Sequence, residues 1–354
     1  MSKRIVIMAG GTGGHVFPAL AVAQELRERG WQISWLGTQK GLENKVTASN
    51  DIVIDWLNIE GIRGKGLLTK LKAIFRLAQA CFQALRVLQQ RKPDIVLGMG
   101  GFVAGPGGLM AKLLNIPVVI HEQNRVPGTT NRLLVKLAAQ RVLEAFPDSF
   151  PKKVTAIYTG NPLRKDFITL PSKPIWQTNS GRHLRVLVLG GSQGAKVLND
   201  NVPEALATFT NLEVKHQTGQ TMLAEVTERY RTLAVPAEVT AFIDDMAAAY
   251  QWADLIVCRA GAMTVSEVAA CGLPAIFVPL LHAIDDHQTA NARYLSDAGA
   301  ALLLPQPELT PENLHNVLKQ AMTSLTSMSL AARSKAKLNA TLTVADICVT
   351  EASQ

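Results

Sequence analysis

Two glycine-rich loops of the same make, GGTGGH at 10–15 and GGSQGA at 190–195, stand 180 residues apart in a chain of 354. Each follows a strand-like apolar run and leads into a helical pattern. A glycine turn between strand and helix is how mononucleotide-binding α/β units bring backbone N–H groups up to a ligand. Two such units facing each other across a cleft account for the spacing, and a cleft suits a donor and an acceptor better than one small ligand. The length allows two domains of about 160–180 residues, each with its own core.

The pattern between the loops supports this. RIVIMA at 4–9, QISWLG at 32–37, DIVIDWLNI at 51–59, DIVLGM at 94–99, IPVVIHE at 116–122 and VTAIYTG at 154–160 read as strands, with helices predicted at 18–30, 69–90, 103–114 and 128–139. Strands alternating with helices indicate parallel sheets joined by right-handed crossovers. Residues 161–181, with three prolines and little periodicity, read as a linker. The pattern restarts with strands at 184–191, 212–219, 239–243, 254–259, 274–280 and 300–304 and helices at 195–208 and 222–231. Beyond 311 the tail is helical, with Thr310 as N-cap and Pro311 in the first turn. The expected domains are 1–163, 164–340, and a C-terminal helix at 341–354 packing back toward the first domain.

Four scattered cysteines, Cys81, Cys258, Cys271 and Cys348, show neither disulfide nor metal-ligand spacing. The first apolar run ends in glycines after five residues, and no stretch of 18 apolar residues follows. The expectation is a soluble chain of a reducing compartment. Net charge is +8, and it is uneven: residues 1–163 hold 21 Lys and Arg against 10 Asp and Glu, the rest 15 against 18. Between Gly61 and Pro93, Arg63, Lys65, Lys70, Lys72, Arg76, Arg86, Arg91 and Lys92 occur with no acid, interleaved with Ile62, Leu67, Leu68, Leu71, Ile74, Phe75 and Leu77. That composition suits an anionic phospholipid surface or a polyanion. It equally suits a surface helix packing Leu71, Ile74, Phe75 and Ala78 inward beneath a solvated basic face. Nucleic acid fits poorly, because the segment carries few aromatics, Phe75 and Phe82, and no recognition motif.

In GGTGGH the glycines permit close approach, so loop amides and the helix start can face an anion. The spacing departs from the dinucleotide fingerprint, and neither Asp51 nor Asp55 stands in a ribose-binding setting. His15 can accept a proton from a hydroxyl, or cap the helix, or contact an anion. In CRAGAMTVSEVAACGLPAIFVP at 258–279, Thr264 and Glu267 fit a capping box. Glu267 could equally offer two acceptors to vicinal ribose hydroxyls while the helix N-terminus takes a phosphate. Arg259 at the C-terminal end of an apolar strand lies where α/β ligands bind.

GGTGGHVFPALAVAQEL, HEQNRVPGTTNRLL at 121–134, YTGNPLR at 158–164, LGGSQGA at 189–195, HQTG at 216–219, FIDDMAAAY at 242–250, RAGAMTVSE at 259–267 and DDHQTAN at 285–291 together resemble the MurG family of peptidoglycan glycosyltransferases over essentially the whole chain. The resemblance implies the GT-B fold, two Rossmann-like doubly wound parallel-sheet α/β domains facing across a cleft. It also implies transfer of N-acetylglucosamine from UDP-GlcNAc to the C4 hydroxyl of MurNAc in undecaprenyl-pyrophosphoryl-MurNAc-pentapeptide (lipid I), giving lipid II.

By that resemblance UDP lies mainly against the second domain. Ile243 receives the uracil edge through its backbone, and Glu267 holds the ribose hydroxyls. Ser192, Arg164, Ala262, Met263, Thr264, Val265 and Ser266 line the uridine and diphosphate region, and Gln288 contacts the sugar, with His287 where the family pairs two glutamines. Thr12, Gly13, Gly14 and Asn124 reach donor or acceptor phosphates from the first domain. His15 is the general base, with His121 and Glu122 as rivals, and His121, Glu122 and Arg259 are further acceptor or phosphate contacts.

Inversion at C1 asks for one base and no covalent sugar intermediate. No D-x-D pair is present to hold a metal; Asp244–Asp245 and Asp285–Asp286 read as caps or turns, so transfer without metal or cofactor is expected. The acceptor's lipid chain implies peripheral docking on the cytoplasmic face of the plasma membrane, near residues 62–77, among cell-wall synthesis and division proteins. Rival readings are a UDP-GlcNAc 2-epimerase-like enzyme and a non-catalytic nucleotide-sugar binding scaffold. An NAD oxidoreductase leaves the matched loops and RAGAMTVSE without a place.

Overall fold

Strand β1 (Arg4–Ala9) is buried from Ile5 onward, and its two faces feed two different cores. Ile5, Ile7 and Ala9 join one cluster, Val6 and Met8 the other, so helices cover both sides of the sheet, as a parallel sheet requires. The computed structural model describes residues 2–59, 67–171, 181–191, 194–281 and 286–353, with the backbone alone over 67–73. The chain divides into two compact units, one of residues 1–164 with 337–354 and one of residues 165–336.

In the first unit β1 is followed by α1 (Gly13–Glu28), β2 (Gln32–Gly37), α2 (Leu42–Ala48), β3 (Val53–Trp56), α3 (Leu67–Arg91), β4 (Ile95–Gly100), α4 (Ala104–Leu113), β5 (Val118–Glu122), α5 (Thr129–Leu137), β6 (Arg141–Glu144) and β7 (Ala156–Tyr158). The sheet runs β3-β2-β1-β4-β5-β6-β7 with every pair parallel. Helix α1 begins at Gly13, five residues before the predicted start, because extended Thr12 acts as its N-cap and the helix tolerates Pro18 in its second turn. Helix α2 and strand β6 were not foreseen: each is short and carries too few apolar residues to show a period. β3 is shorter than predicted because it is the exposed edge of the sheet, with Val53 51% exposed.

The inward face of α3 also differs from the expectation. Ala80, Ala84 and Leu88, spaced by four, pack into the core beside Val6 and Met8. Ile74 and Phe75 point outward, 65% and 72% exposed, and Ala78 is exposed as well. Ile62, Arg63 and Lys65 lie outside the described residues, as do the side chains of Leu67, Leu68, Lys70, Leu71 and Lys72. Among the described residues no helix is long and apolar enough to cross a membrane.

The second unit contains α6 (Lys165–Ile168), β8 (Leu184–Leu189), α7 (Lys196–Leu206), β9 (Leu212–Gln217), α8 (Leu223–Thr232), β10 (Ala237–Thr240), α9 (Met246–Trp252), β11 (Leu255–Cys258), α10 (Ala262–Cys271), β12 (Ala275–Phe277), α11 (His287–Ser296), β13 (Ala301–Leu303), α12 (Pro311–Met322) and α13 (Leu325–Ser334). Its parallel sheet has the order β10-β9-β8-β11-β12-β13. Leu184, Val186 and Val188 of β8 share a core with Leu198 and Val202 of α7 and Leu314 and Leu318 of α12. Thr310 caps α12 by accepting from the Asn313 N–H at 3.1 Å.

The last helix, α14 (Ala340–Glu351), belongs to the first unit. Val344, Ala345 and Cys348 pack into the cluster of Ile5, Ile7 and Leu26. Buried Glu351 accepts from Arg141 Nε at 2.6 Å and Gln140 Nε2 at 3.0 Å, and Thr341 donates to the Leu163 carbonyl at 3.0 Å. These bonds fix both the point where the chain leaves this unit and the point where it returns.

Candidate active site

In each sheet the strand order reverses beside the unit's first strand, between β1 and β4 and between β8 and β11. Ligands of open α/β sheets bind outside the strand C-termini at such a point. The two glycine loops stand there, one in each unit.

In the first unit the loop after β1 is held from below by Glu43 of α2, which is 0% exposed. Glu43 Oε2 accepts from the Gly11 N–H at 3.0 Å, and Oε1 accepts from the Thr38 N–H at 2.9 Å and hydroxyl at 2.8 Å. One carboxylate thus ties together the loops after β1 and β2. From the other side Gly101, at φ +82°, approaches so closely that a Cβ there would lie 2.4 Å from the Gly10 carbonyl oxygen. The Thr12 carbonyl accepts from the amides of both His15 and Val16. The amides of Gly13 and Gly14 precede the first intrahelical donor and form the positive end of α1.

His15, half-buried on the first turn of α1, packs its ring over Gly100, where a Cβ would lie 2.9 Å from Nδ1 and Cε1. His15 Nδ1 is 2.8 Å from Gln123 Oε1. Gln123 Nε2 is 3.0 Å from both the ring Nδ1 and the backbone oxygen of His121, whose Nε2 is 3.0 Å from the Gly160 carbonyl oxygen. Gln123 and His121 are both fully buried. Burial pushes the His121 pKa down to about 4, against the opposing pull of the Gly160 bond, so the ring is neutral.

Glu122, 1% exposed, accepts from the Asn124 N–H at 2.9 Å and side chain at 3.3 Å through Oε1, and from the Gly128 N–H at 3.0 Å and Asn131 Nδ2 at 2.8 Å through Oε2. It shapes the 124–128 loop and the start of α5. The structure therefore corrects the reading of His121 and Glu122 as rival bases or acceptor contacts: both are interior, and their polar atoms are engaged by protein groups. Arg164 falls in the first unit, its guanidinium 5.6 Å from the Phe17 ring centroid, and Thr12 is exposed on the loop.

In the second unit the loop after β8 is equally tight: a Cβ at Gly194, φ +76°, would lie 1.9 Å from the Thr218 carbonyl oxygen. Ser192 lies outside the described residues, as does Asp285. His216 of the HQTG run is an interior support, 0% exposed between Tyr230 OH at 3.0 Å and Asn199 Oδ1 at 3.1 Å. Asn199 in turn donates to the Thr218 carbonyl at 3.0 Å.

Helix α10 starts at the C-terminal end of β11. Gly261 is its N-cap, so Thr264 lies within the first turn and does not cap. The amides of Ala262, Met263 and Thr264 form the helix's positive end. One turn on, Glu267 Oε2 accepts from the hydroxyl of fully buried Tyr250 at 3.2 Å, so α9 braces the carboxylate. Ile243, half-buried, lies in the loop between β10 and α9, followed by Asp245, which caps α9 through the Ala248 N–H at 2.8 Å. Gln288 Oε1 accepts from the Leu280 N–H at 2.9 Å and the Ala260 N–H at 3.3 Å, joining the loops after β11 and β12.

Three second-unit residues of the expected site also make contacts within the protein. Val265 is fully buried and belongs to the core, and the Ser266 hydroxyl bonds back to the Ala262 carbonyl at 2.9 Å. Arg259 spends Nη1 on the carbonyls of Val278 at 3.0 Å and Pro279 at 3.1 Å, tethering the end of β12. The sequence by itself gives no role to Gln123, Glu43, Gly100, Gly101, Asn199 or Tyr250; of these only Gln123 and Tyr250 lie within the motif runs at 121–134 and 242–250.

On the first unit, exposed apolar side chains extend beyond Ile74 and Phe75. Phe82 is 52% exposed, Leu113 at the end of α4 66%, and Leu133 and Leu137 of α5 46% and 53%. Exposed Arg76, Lys112, Arg132 and Lys136 lie along the same three helices.

Residues 5–143 match the family model for the glycosyltransferase family 28 N-terminal domain, and residues 185–348 that for its C-terminal domain. The chain belongs to glycosyltransferase family 28, and its fold is GT-B. Within that family it is 56% identical to the UDP-N-acetylglucosamine–N-acetylmuramyl-(pentapeptide) pyrophosphoryl-undecaprenol N-acetylglucosamine transferase of Methylococcus capsulatus, over 99% of each chain. It is also similar to the crystal structure of Acinetobacter baumannii MurG, with TM-score 0.84 and 44% identity over 98% of this chain and 99% of that one. A UDP-GlcNAc 2-epimerase from Neisseria meningitidis, bound to UDP-GlcNAc, shares the fold alone: TM-score 0.67 at 16% identity, over 98% of this chain and 100% of that one.

Proposed function

We propose that the protein is an inverting hexosyltransferase that moves GlcNAc from UDP-GlcNAc to the C4 hydroxyl of MurNAc in lipid I, giving lipid II and UDP. The observation that carries this reading is end-to-end identity of 56% with a relative bearing that activity in its name.

The second unit binds the donor. The braced carboxylate of Glu267 accepts from the ribose hydroxyls, the first-turn amides of α10 face the diphosphate, and the backbone of Ile243 meets the uracil edge. Gln288 stands at the sugar, held by the loops it joins. In the first unit the Gly13 and Gly14 amides face phosphate, and His15 takes the proton as the C4 oxygen bonds to C1 from the face opposite the leaving group. The C1–O bond to UDP breaks, its electron pair leaves with UDP, and the configuration at C1 inverts. Helix N-termini compensate the charge that develops on the diphosphate.

Exposed Ile74, Phe75, Leu113 and Leu137, with Arg76, Lys112 and Lys136 on the same helices, meet an anionic phospholipid surface on the cytoplasmic side of the membrane. There the lipid-linked acceptor is presented.

The test is transfer of labelled GlcNAc to a lipid I analogue in EDTA, with His15→Ala and Glu267→Ala alongside. Lipid-dependent transfer lost in both variants is expected. Epimerised UDP-GlcNAc formed without acceptor, or donor binding with no turnover, would overturn the reading.

A further inference from the structure

Behind His15 stands a carboxamide where a histidine base in many enzymes has a carboxylate. The protons of this network can be placed from its ends inward. A backbone carbonyl only accepts. The His121 carbonyl, 3.0 Å from one terminal atom of Gln123, therefore requires that atom to be the amide nitrogen; the flipped amide would set two oxygens against each other. The Gly160 carbonyl likewise requires the proton of neutral His121 to sit on Nε2. His121 Nδ1 is then an acceptor, and it takes the second proton of the Gln123 amide at 3.0 Å. With its nitrogen spent twice toward His121, Gln123 offers only Oε1 to His15.

We infer that Gln123 is a positioning residue that fixes His15 as the Nδ1–H tautomer, directing the unprotonated Nε2 lone pair away from the protein to receive the acceptor's proton. This rests on the reading of His15 as the base. Two backbone carbonyls, on β5 and at Gly160, ultimately set which nitrogen of His15 carries hydrogen. The wall formed by Gly100 against the other side of the ring holds its plane. The burial that keeps His121 neutral serves the same end, since a doubly protonated His121 would turn Gln123 around and present His15 with a donor. The arrangement adds no charge beside the ring, so it orients the base without a fixed anion behind it.

The experiment combines ring-nitrogen NMR with kinetics on the full chain. In 15N-histidine-labelled protein, His15 is assigned by the signals lost in His15→Ala. The expected spectrum shows hydrogen on Nδ1 and a bare Nε2; hydrogen on Nε2 would overturn the inference, and this measurement needs no Gln123 variant to fold. Gln123→Met should mix the tautomers and lower kcat on the order of 10²-fold with the UDP-GlcNAc Kd unchanged, the usual worth of a correctly set general base. Gln123→Glu, whose protonated carboxyl both donates to His121 and accepts from His15, should recover at least about tenfold of that loss. An unaltered tautomer and kcat in Gln123→Met would refute the role. If His15→Ala itself transfers at the wild-type rate, the base assignment fails, and the nitrogen signals still report whether Gln123 sets the tautomer.

Discussion

Lowering the pH from 7.5 to 5.5 should loosen the second unit through His216. The ring is held between Asn199 and Tyr230, and burial pushes its pKa down to about 3. In the unfolded chain the same ring protonates near its reference value of about 6.5. Because the folded value is the lower one, the unfolded chain gains the proton first as pH falls. Stability is therefore full above about 6.5 and is lost below it until the folded ring protonates. Between pH 7.5 and 5.5 this comes to about 1.4 kcal/mol, roughly tenfold in the opening equilibrium. The size does not depend on how far into the acid range the folded ring titrates, and carboxylates scarcely protonate above pH 5.5. Hydrogen exchange in peptides covering 212–217 and 255–258, corrected for the intrinsic pH dependence of exchange, reads the opening of β9 and β11. His216→Gln, whose amide can donate to Asn199 and accept from Tyr230, supplies the reference without a titrating ring. The wild type should gain about tenfold in opening relative to that variant. Equal slopes in the two proteins, or ring protons of His216 titrating near pH 6 in the folded state, would refute the reasoning.

Gly101→Ala places a methyl 2.4 Å from the Gly10 carbonyl in a left-handed backbone conformation, and should cost about 1–3 kcal/mol and abolish most transfer while UDP affinity holds; thermal melts and donor titrations check the two halves of this. Tyr250→Phe removes the hydroxyl that braces Glu267 and should weaken UDP-GlcNAc binding by about three- to tenfold, the worth of one net hydrogen bond, read by calorimetry. Phe75→Ser, Leu113→Ser and Leu137→Ser together should release the protein from anionic vesicles in a flotation assay with donor affinity unchanged, and equal loss of both would make the face structural.

Much of this was legible in the chain itself, because parallel strands buried on both faces write themselves as continuous apolar runs. RIVIMA and LRVLVL are such runs, and both glycine loops follow from them. The direction of α3 was not legible: alanines do the inward packing, and an alanine stripe is hard to see beside Ile74 and Phe75. Glu43 and Gln123 were missed for a related reason. Each is a polar residue whose partners are backbone groups remote in sequence, so nothing near it in the chain announces its use. His121 and Glu122 attracted attention by their chemistry, yet their burial turns that chemistry inward, onto Gln123 and the Asn124 loop. Thr264 and Glu267 fitted a capping box by spacing, but Gly261 ends the turn first, which leaves Glu267 to Tyr250.

The last helix bears on how the protein comes into being. Since α14 seals the apolar layer of Ile5, Ile7 and Leu26, the second unit is an insertion within the first, and a ribosome finishes that insertion before the sealing helix exists. The module begun first is thus completed last. A nascent chain has its second unit able to assemble early, while the unit bearing His15 waits with a bare hydrophobic face until residues 340–351 emerge. Premature release would leave a folded second unit beside an unfinished first one, with an exposed apolar surface on which chaperones and proteases can act.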